Sequence, residues 1–409
     1  MDCAAVRRRM AHWALALSSI TASFGCRTPE PPPFPEHLAT YETETPNVGF
    51  DLMRQAGERA FRDGDALLHR THWTPGLRAQ AIAKVQPALD LLRRAHREAF
   101  EFVYSPQPPL SENSARTGWR FLGTTLVWSA LEALERGDGD QAVSDILTVL
   151  RLAWDLFGGD AIDANLGYTL IRRVQSSLWE AHASFSPQQL LRLSTGIERI
   201  LDRAPSVHQT LRHEEAAMLA AVQLIQDAFL DGGLNEVADT LQQNTAPAFD
   251  YLKELRNRPQ EKQVEYFRRF AQEARDRIRA LHTIASEDTS QWRPAEAPTG
   301  ERPWKRLAAQ FFGASDRILD EYLYSLAVTR LIAVDAALLA RLRAGQRLPA
   351  SLDNLPQLLR TDPYSGREFL YHNLAVGYDL YSVGENRKDD RGLQAPGGEL
   401  GDIVAPPRS

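Results

Sequence analysis

The feature that most constrains this chain is a helical apolar period running from about Val48 to Ala344. It is cleanest between Asp140 and Phe157, where Val143, Ile146, Leu147, Leu150, Ala153, Trp154 and Phe157 recur every three or four residues and predict one buried helical stripe. Asp140 is placed to cap its start and Gly158-Gly159 to end it. Ser186-Pro187-Gln188-Gln189 reads as a capping box with proline at the first helical position, and Leu190, Leu193, Ile197 and Leu201 follow on one face. Further helical patterns cover about 50–70, 76–103, 112–136, 161–183, 206–230 and 260–283, joined by short Gly, Pro or Asp turns. This pattern predicts a mainly α fold for 48–285, either a multi-helix bundle or an irregular α-solenoid of helix pairs. The residue pattern of tetratricopeptide arrays is missing, and no strict repeat spacing occurs.

Composition agrees with a folded chain. Of 409 residues 43% are hydrophobic, enough for a substantial core, and the net charge of -6 comes from both signs interspersed, without the basic run that a nucleic-acid partner needs. The only cysteines, Cys3 and Cys26, form neither a disulfide framework nor a CxxC pair. They speak about targeting instead. Arg7, Arg8 and Arg9 precede an uncharged stretch from Ala11 to Phe24, the shape of an export signal over 1–25 and too short for a permanent membrane span. Ser23-Phe24-Gly25-Cys26 resembles a bacterial lipobox, which implies an acylated Cys26 and a membrane anchor, although Ser23 and Phe24 replace the usual aliphatic and small residues. Ser23 and Gly25 also fit ordinary signal cleavage before Cys26. The Pro29–Pro35 run makes 26–47 an extended tether.

Ser286 to Pro303 is polar and Pro-rich and reads as a linker. The region 304–409 is expected to hold a long helix, about Ala314 to Ala344, apolar around most of its circumference and interrupted by Arg330, Asp335 and Arg341. Leu348 to Leu352 starts a short helix, Asp362-Pro363-Tyr364-Ser365-Gly366 is a turn, and Glu368–Tyr371 with Tyr378–Val383 alternate as a β-hairpin. A small C-terminal α+β module follows from these elements. After it comes Gly384-Glu385-Asn386-Arg387-Lys388-Asp389-Asp390, an acidic loop with two bases, and later Gly401-Asp402-Ile403.

This order of long helix, Leu-Pro-x-Ser-Leu, Asp-Pro-aromatic-x-Gly, Tyr-Asp-Leu-Tyr-Ser-Val-Gly, acidic loop and Gly-Asp-Ile, over about 314–404, resembles the C-terminal half of the major pseudopilin of type II secretion systems. The resemblance implies calcium bound by Asp389, Asp390 and Asp402, with carbonyls near Ser382 and Gly384 as helpers. Asn386 stands where that family usually has aspartate, and Arg387 and Lys388 lower the local negative charge. The N-terminal pilin signature is absent, so filament assembly is not implied. The whole chain resembles a class of bacterial envelope lipoproteins in which a helical body precedes this tail and to which no activity is attached.

No catalytic motif accompanies these features. His213-Glu214-Glu215 lacks the second zincin histidine, since position 217 is Ala, and Gly137-Asp138-Gly139-Asp140 lacks the later ligands of an EF-hand. Asp65, His69 and His72 share one helical face but read as isolated side chains, and Trp119, Trp128, Trp154 and Trp179 read as core or groove-lining. The expected role is a non-enzymatic binding or scaffold protein, lipid-anchored in the bacterial envelope, with a protein or peptide partner. A secretion-associated structural subunit and an enzyme with a site assembled from dispersed residues are the alternatives.

Overall fold

The structure, a computed structural model, describes residues 47–68, 70–103, 113–181, 184–234, 246–293, 302–311, 313–393 and 401–405. The expected signal over 1–25, Cys26, His69 and nearly all of the expected tether lie outside these residues. The helical body is built from α1 (Val48–Leu68), α2 (Pro75–Ala95), α3 (Ser114–Glu135), α4 (Gly139–Leu156), α5 (Ala161–Ala181), α6 (Pro187–Leu201), α7 (Val207–Asp231), α8 (Ala246–Leu255), α9 (Gln260–Ala285) and α10 (Pro303–Phe311). The long helix α11 (Ile318–Arg343), a four-residue α12 (Gln357–Arg360) and strands β1 (Leu370–Asn373), β2 (Tyr378–Ser382) and β3 (Ile403–Val404) complete the chain. The fold is mainly helical with a small antiparallel sheet at its C-terminal end.

Helices begin where local chemistry says they should, with one displacement. Ser186 and Gln189 form the predicted capping box at α6. At α4 the cap is Asp138 and not Asp140: Gly137, at φ 77°, ends the turn after α3, so Asp138 arrives first and its carboxylate accepts from Gln141 N at 3.0 Å. Asp140 instead pairs with Arg192 of α6 at 2.7 Å. Helix α2 stops at Ala95, short of the expected 103, and Phe102 beyond it packs between Phe50 and Trp119 with ring centroids 4.9 and 6.2 Å away. Helices α1 and α3 cross at Gly57 and Gly118, where an added Cβ on Gly118 would come within 1.8 Å of the Gly57 carbonyl oxygen. Only glycine permits that approach.

The early helices stack on their neighbours, α1 on α2 and α3, α3 on α4 and α5, α4 on α5 and α6. Helix α11 then returns to pack against α5, α6 and α7 and carries β2 on its remaining side. Its sequence explains the position: it has the apolar character and length to cross a bilayer, yet 89% of its most apolar window is buried against the protein. Trp154, fully buried on α4, stacks edge-on against Tyr322 of α11 and points its indole N–H toward Thr329, 3.3 Å away. Because α11 closes the stack into a common core, the body is a bundle more than an open solenoid.

The sheet has the order β1-β2-β3, all antiparallel. The expected hairpin is present with its first strand two residues later than Glu368–Tyr371, pairing Leu370 with Tyr381 and Asn373 with Tyr378, and β3 adds Ile403 opposite Ser382. Residues 350–355 form turns where a short helix was expected; the helix starts after Pro356, which has the extended φ and ψ of an N-cap.

Candidate functional site

Three places concentrate chemistry: the C-terminal acidic loop, a buried charge cluster in the body, and an apolar slot beside α11.

The loop starts at Gly384, φ 63°, whose missing Cβ leaves room for the Gly401 carbonyl oxygen; a side chain there would approach it to 1.9 Å. This brings the returning segment 401–405 onto the end of β2. Asp389 accepts from the Tyr381 hydroxyl at 3.1 Å and from Arg391 N at 2.8 Å. Asp390 accepts from the Asn386 amide at 2.6 Å, so the residue that departs from the pseudopilin pattern supplies a donor where a fourth carboxylate would have added charge. Buried Asp402 accepts from Gly392 N at 2.7 Å through Oδ2, while its Oδ1 is buried without a hydrogen-bond partner among the described residues. Burial raises the Asp402 carboxyl above the usual carboxylate range against backbone hydrogen bonding from Gly392 and Asp390, and the charges of Asp390 and Asp389 add to the rise. Arg387 and Arg391 hold positive φ, 55° and 60°, unusual for residues with a Cβ.

The fit of this loop to calcium is partial. An orphaned buried carboxylate oxygen is what a cation would satisfy. Yet among the described residues no three His, Cys, Asp or Glu side chains gather closely enough to hold a metal ion. Main-chain oxygens would have to make up much of the six to eight that calcium takes.

The two bases of the loop have separate roles. Arg387 reaches away from the aspartates and donates to the carbonyls of Ser290 and Trp292, on the turn that follows α9. Trp292 is buried against Tyr322, and Gly366 of the Asp-Pro-Tyr-Ser-Gly turn abuts Ser290. The first part of the expected linker is thus the seat of the C-terminal module. Lys388 shows no such contact; its backbone N–H donates to the Asn386 side chain at 2.9 Å. Two charged residues of α11 face the module too: Tyr378 donates to Asp335 at 2.9 Å, and Arg330 donates to the Thr361 carbonyl at 2.7 Å. Asp362 of the turn accepts from Tyr364 N, the Ser382 hydroxyl and Val383 N at 3.0, 2.8 and 3.2 Å.

The body cluster was not read from the sequence. Arg116 on α3 donates through Nε to Asp163 at 2.7 Å and through Nη2 to Asp160 at 2.6 Å. Asp160 also caps α5, accepting from Ile162 N and Asp163 N at 3.0 and 3.1 Å. Glu214 on α7, left over from the failed zincin motif, accepts from Ala161 N at 2.9 Å and from the Ser315 hydroxyl. His213 faces the Gly158 carbonyl. Burial, then the charge of Asp160, pushes both Asp163 and Glu214 up to about 7. Burial alone would lower Arg116, but Asp163 and Asp160 hold it above its ordinary value. The arrangement locks α3, α5, α7 and the segment before α11 together: Asp160 and Asp163 share the Arg116 guanidinium, and Glu214 is held by Ala161 N and Ser315. A second buried pair lies within α4, where Arg151 holds Asp155 one turn on at 2.9 Å; burial, then Arg151, lowers nearby His96 to about 3.

A small, partly open apolar slot lies between α5, α6 and α11. Leu178, Phe185, Leu193, Leu331 and Ile332 line most of it, with Gln175 and Asp335 as polar groups and Ala405 at the end of the returning tail. Of the other predicted residues, Asp65 and His72 are exposed, Trp119 and Trp154 are core, and Trp128 packs against Trp73 at 4.5 Å. No protein family, no curated protein and no solved structure matches this chain.

Proposed function

We propose that this chain is an exported envelope protein, lipid-anchored through Cys26, that works by binding a protein or peptide partner and not by catalysis. The observation that carries this reading is the apolar slot beside α11. It suits an apolar side chain inserted by a partner, and its acid, Asp335, already accepts the Tyr378 hydroxyl at 2.9 Å. The buried carboxylates of the body support it from the other side: they are engaged by Arg116, Ser315 and main-chain N–H groups, which suits locking helices together more than meeting a substrate. The pseudopilin-like order of α11, hairpin and returning strand favours a second reading, a structural subunit associated with secretion. In either case calcium at Asp389, Asp390 and Asp402 would hold the returning tail, a proposal supported by the unpartnered Asp402 Oδ1.

Two measurements test this. Cys26→Ser should move the protein from the detergent phase to the aqueous phase while it stays folded, because acyl chains supply the membrane affinity; unchanged partitioning refutes the anchor. A photo-crosslinking residue at exposed Leu191, next to slot residue Leu190, should yield a discrete adduct in intact envelopes, and one at exposed Leu230 on α7 should not. Equal labelling from both positions, or none from Leu191, defeats the binding role of the slot.

A further inference from the structure

We propose that the His208–His282 contact is an acid-sensitive joint between α7 and α9. His208 lies in the first turn of α7 and His282 in the last turn of α9. Their Nδ1 atoms are 2.9 Å apart, their planes agree within 5°, and their ring centroids are 5.2 Å apart. The centroids are farther apart than the nitrogens by about one ring's width, so the imidazoles meet edge to edge in a common plane. That is the geometry of an N–H···N hydrogen bond.

Such a bond needs a proton on one Nδ1 and a lone pair on the other. A first proton from solvent goes to the free Nε2 of the donor ring and leaves the bond intact, now charge-assisted. A second must take the accepting Nδ1, which aims two N–H groups at each other and sets two cations side by side. The surroundings oppose it: burial first, then His208 and Arg212 of α7, holds His282 below its ordinary value. On the packed elements, Asp276 is engaged by Arg279 and Asp316 by Arg277, and the Tyr322 hydroxyl contributes only a neutral bond to the Pro205 carbonyl at 3.2 Å. A lowered histidine stabilises the fold above its unfolded value of about 6.5 and loses that contribution as pH falls. Acid therefore loosens the end of α9, which leads directly into the turn that seats Arg387. Around that seat, Asp288 is held low by Ser290, while burial and then Glu385 push Asp320 up to about 6. Protonating Asp320 relieves its repulsion with Glu385 and acts in the opposite direction, so the response of the joint is read at the two helix ends.

The test is hydrogen–deuterium exchange of the full chain in detergent between pH 7.5 and 5.0, corrected for intrinsic rates. In peptides covering the start of α7 and the end of α9, opening should rise below about pH 6 by up to about tenfold per pH unit for each proton taken up. The double variant His208→Gln, His282→Gln should lack the rise. Nitrogen NMR of the unaltered protein gives a readout that does not depend on a variant folding: the pair should take up its second proton below the range of an ordinary histidine. Opening that ignores pH, a rise that persists in the double variant, or two imidazoles titrating independently near the ordinary value would each overturn the joint.

Discussion

The body cluster around Arg116 and the C-terminal acidic loop both bring three carboxylates to one neighbourhood, and they balance them differently. In the body, Arg116 answers Asp160 and Asp163, while Ser315 and a main-chain N–H answer Glu214. In the loop Arg387 turns elsewhere, to the seat after α9, and among the described residues the buried Asp402 Oδ1 has no hydrogen-bond partner. Burying a carboxylate among fixed donors makes a lock that needs nothing from outside. Burying one with an oxygen to spare leaves a demand that solvent cations can meet.

The largest expected effect tests the first half of that contrast. Arg116→Met leaves two buried carboxylates, Asp160 and Asp163, without their cation and should cost about 3–5 kcal/mol in urea unfolding. The loss should shrink at acidic pH, because Asp163 and Glu214, raised to about 7, then hold protons. The sign in the parent follows: raised acids contribute stability that is complete below about pH 4 and lost as pH climbs through 7, so Asp163→Asn with Glu214→Gln should flatten the fall between those values. His96 works in the other direction, stabilising above about 6.5 and losing that contribution toward 3. An Arg116→Met variant as stable as its parent at pH 7.5 would break the comparison.

Next in size is calcium. Millimolar calcium against chelator should raise the stability of the full chain by about 2–3 kcal/mol when the ion exceeds its dissociation constant a hundredfold. Asp402→Asn, or Asp389→Ala with Asp390→Ala, should remove the shift, and magnesium should do less. The full chain is the right material because α11 shares its surface with α5, α6 and α7, and an isolated C-terminal fragment would expose that surface. A thermal midpoint indifferent to calcium would make the loop a turn that tolerates an orphaned oxygen. The smallest effect concerns Arg387: Arg387→Ala should cost about 1–2 kcal/mol and speed exchange in the 287–292 turn. Arg387→Gly should cost less, since glycine takes φ 55° freely. Equal loss in the two variants would mean that the backbone there carries no strain.

The difference between these regions also marks what the sequence made legible. Helices with long apolar stripes, such as α4 and α6, were readable because period and caps agree. Short α8 and α10 escaped because ten and nine residues carry too few turns to establish a period next to proline and polar runs. The charged residues inside α11 looked like interruptions, yet Arg330 and Asp335 are the bonds that dock the module. Asp389 and Asp390 stand out because they are consecutive in sequence, and Asp402, twelve residues on, is singled out only by the resemblance. Arg116, Asp160, Asp163 and Glu214 were not, since their meeting depends on the crossing of α3, α5 and α7, and the only local hint was acid at Asp160 and Asp163 beside a helix start.

The position of α11 has a consequence for how this chain comes into being. Trp154 waits for Thr329, 175 residues downstream, and the inner faces of α5, α6 and α7 have no cover until residues 318–343 arrive. The core cannot close from the N-terminal side as the chain emerges, so folding must run against the order of synthesis and late residues must find early ones across a large loop. A chain that keeps its central strut until late stays open for most of its synthesis, and a truncation before Ile318 would leave a set of helices with nothing to close around.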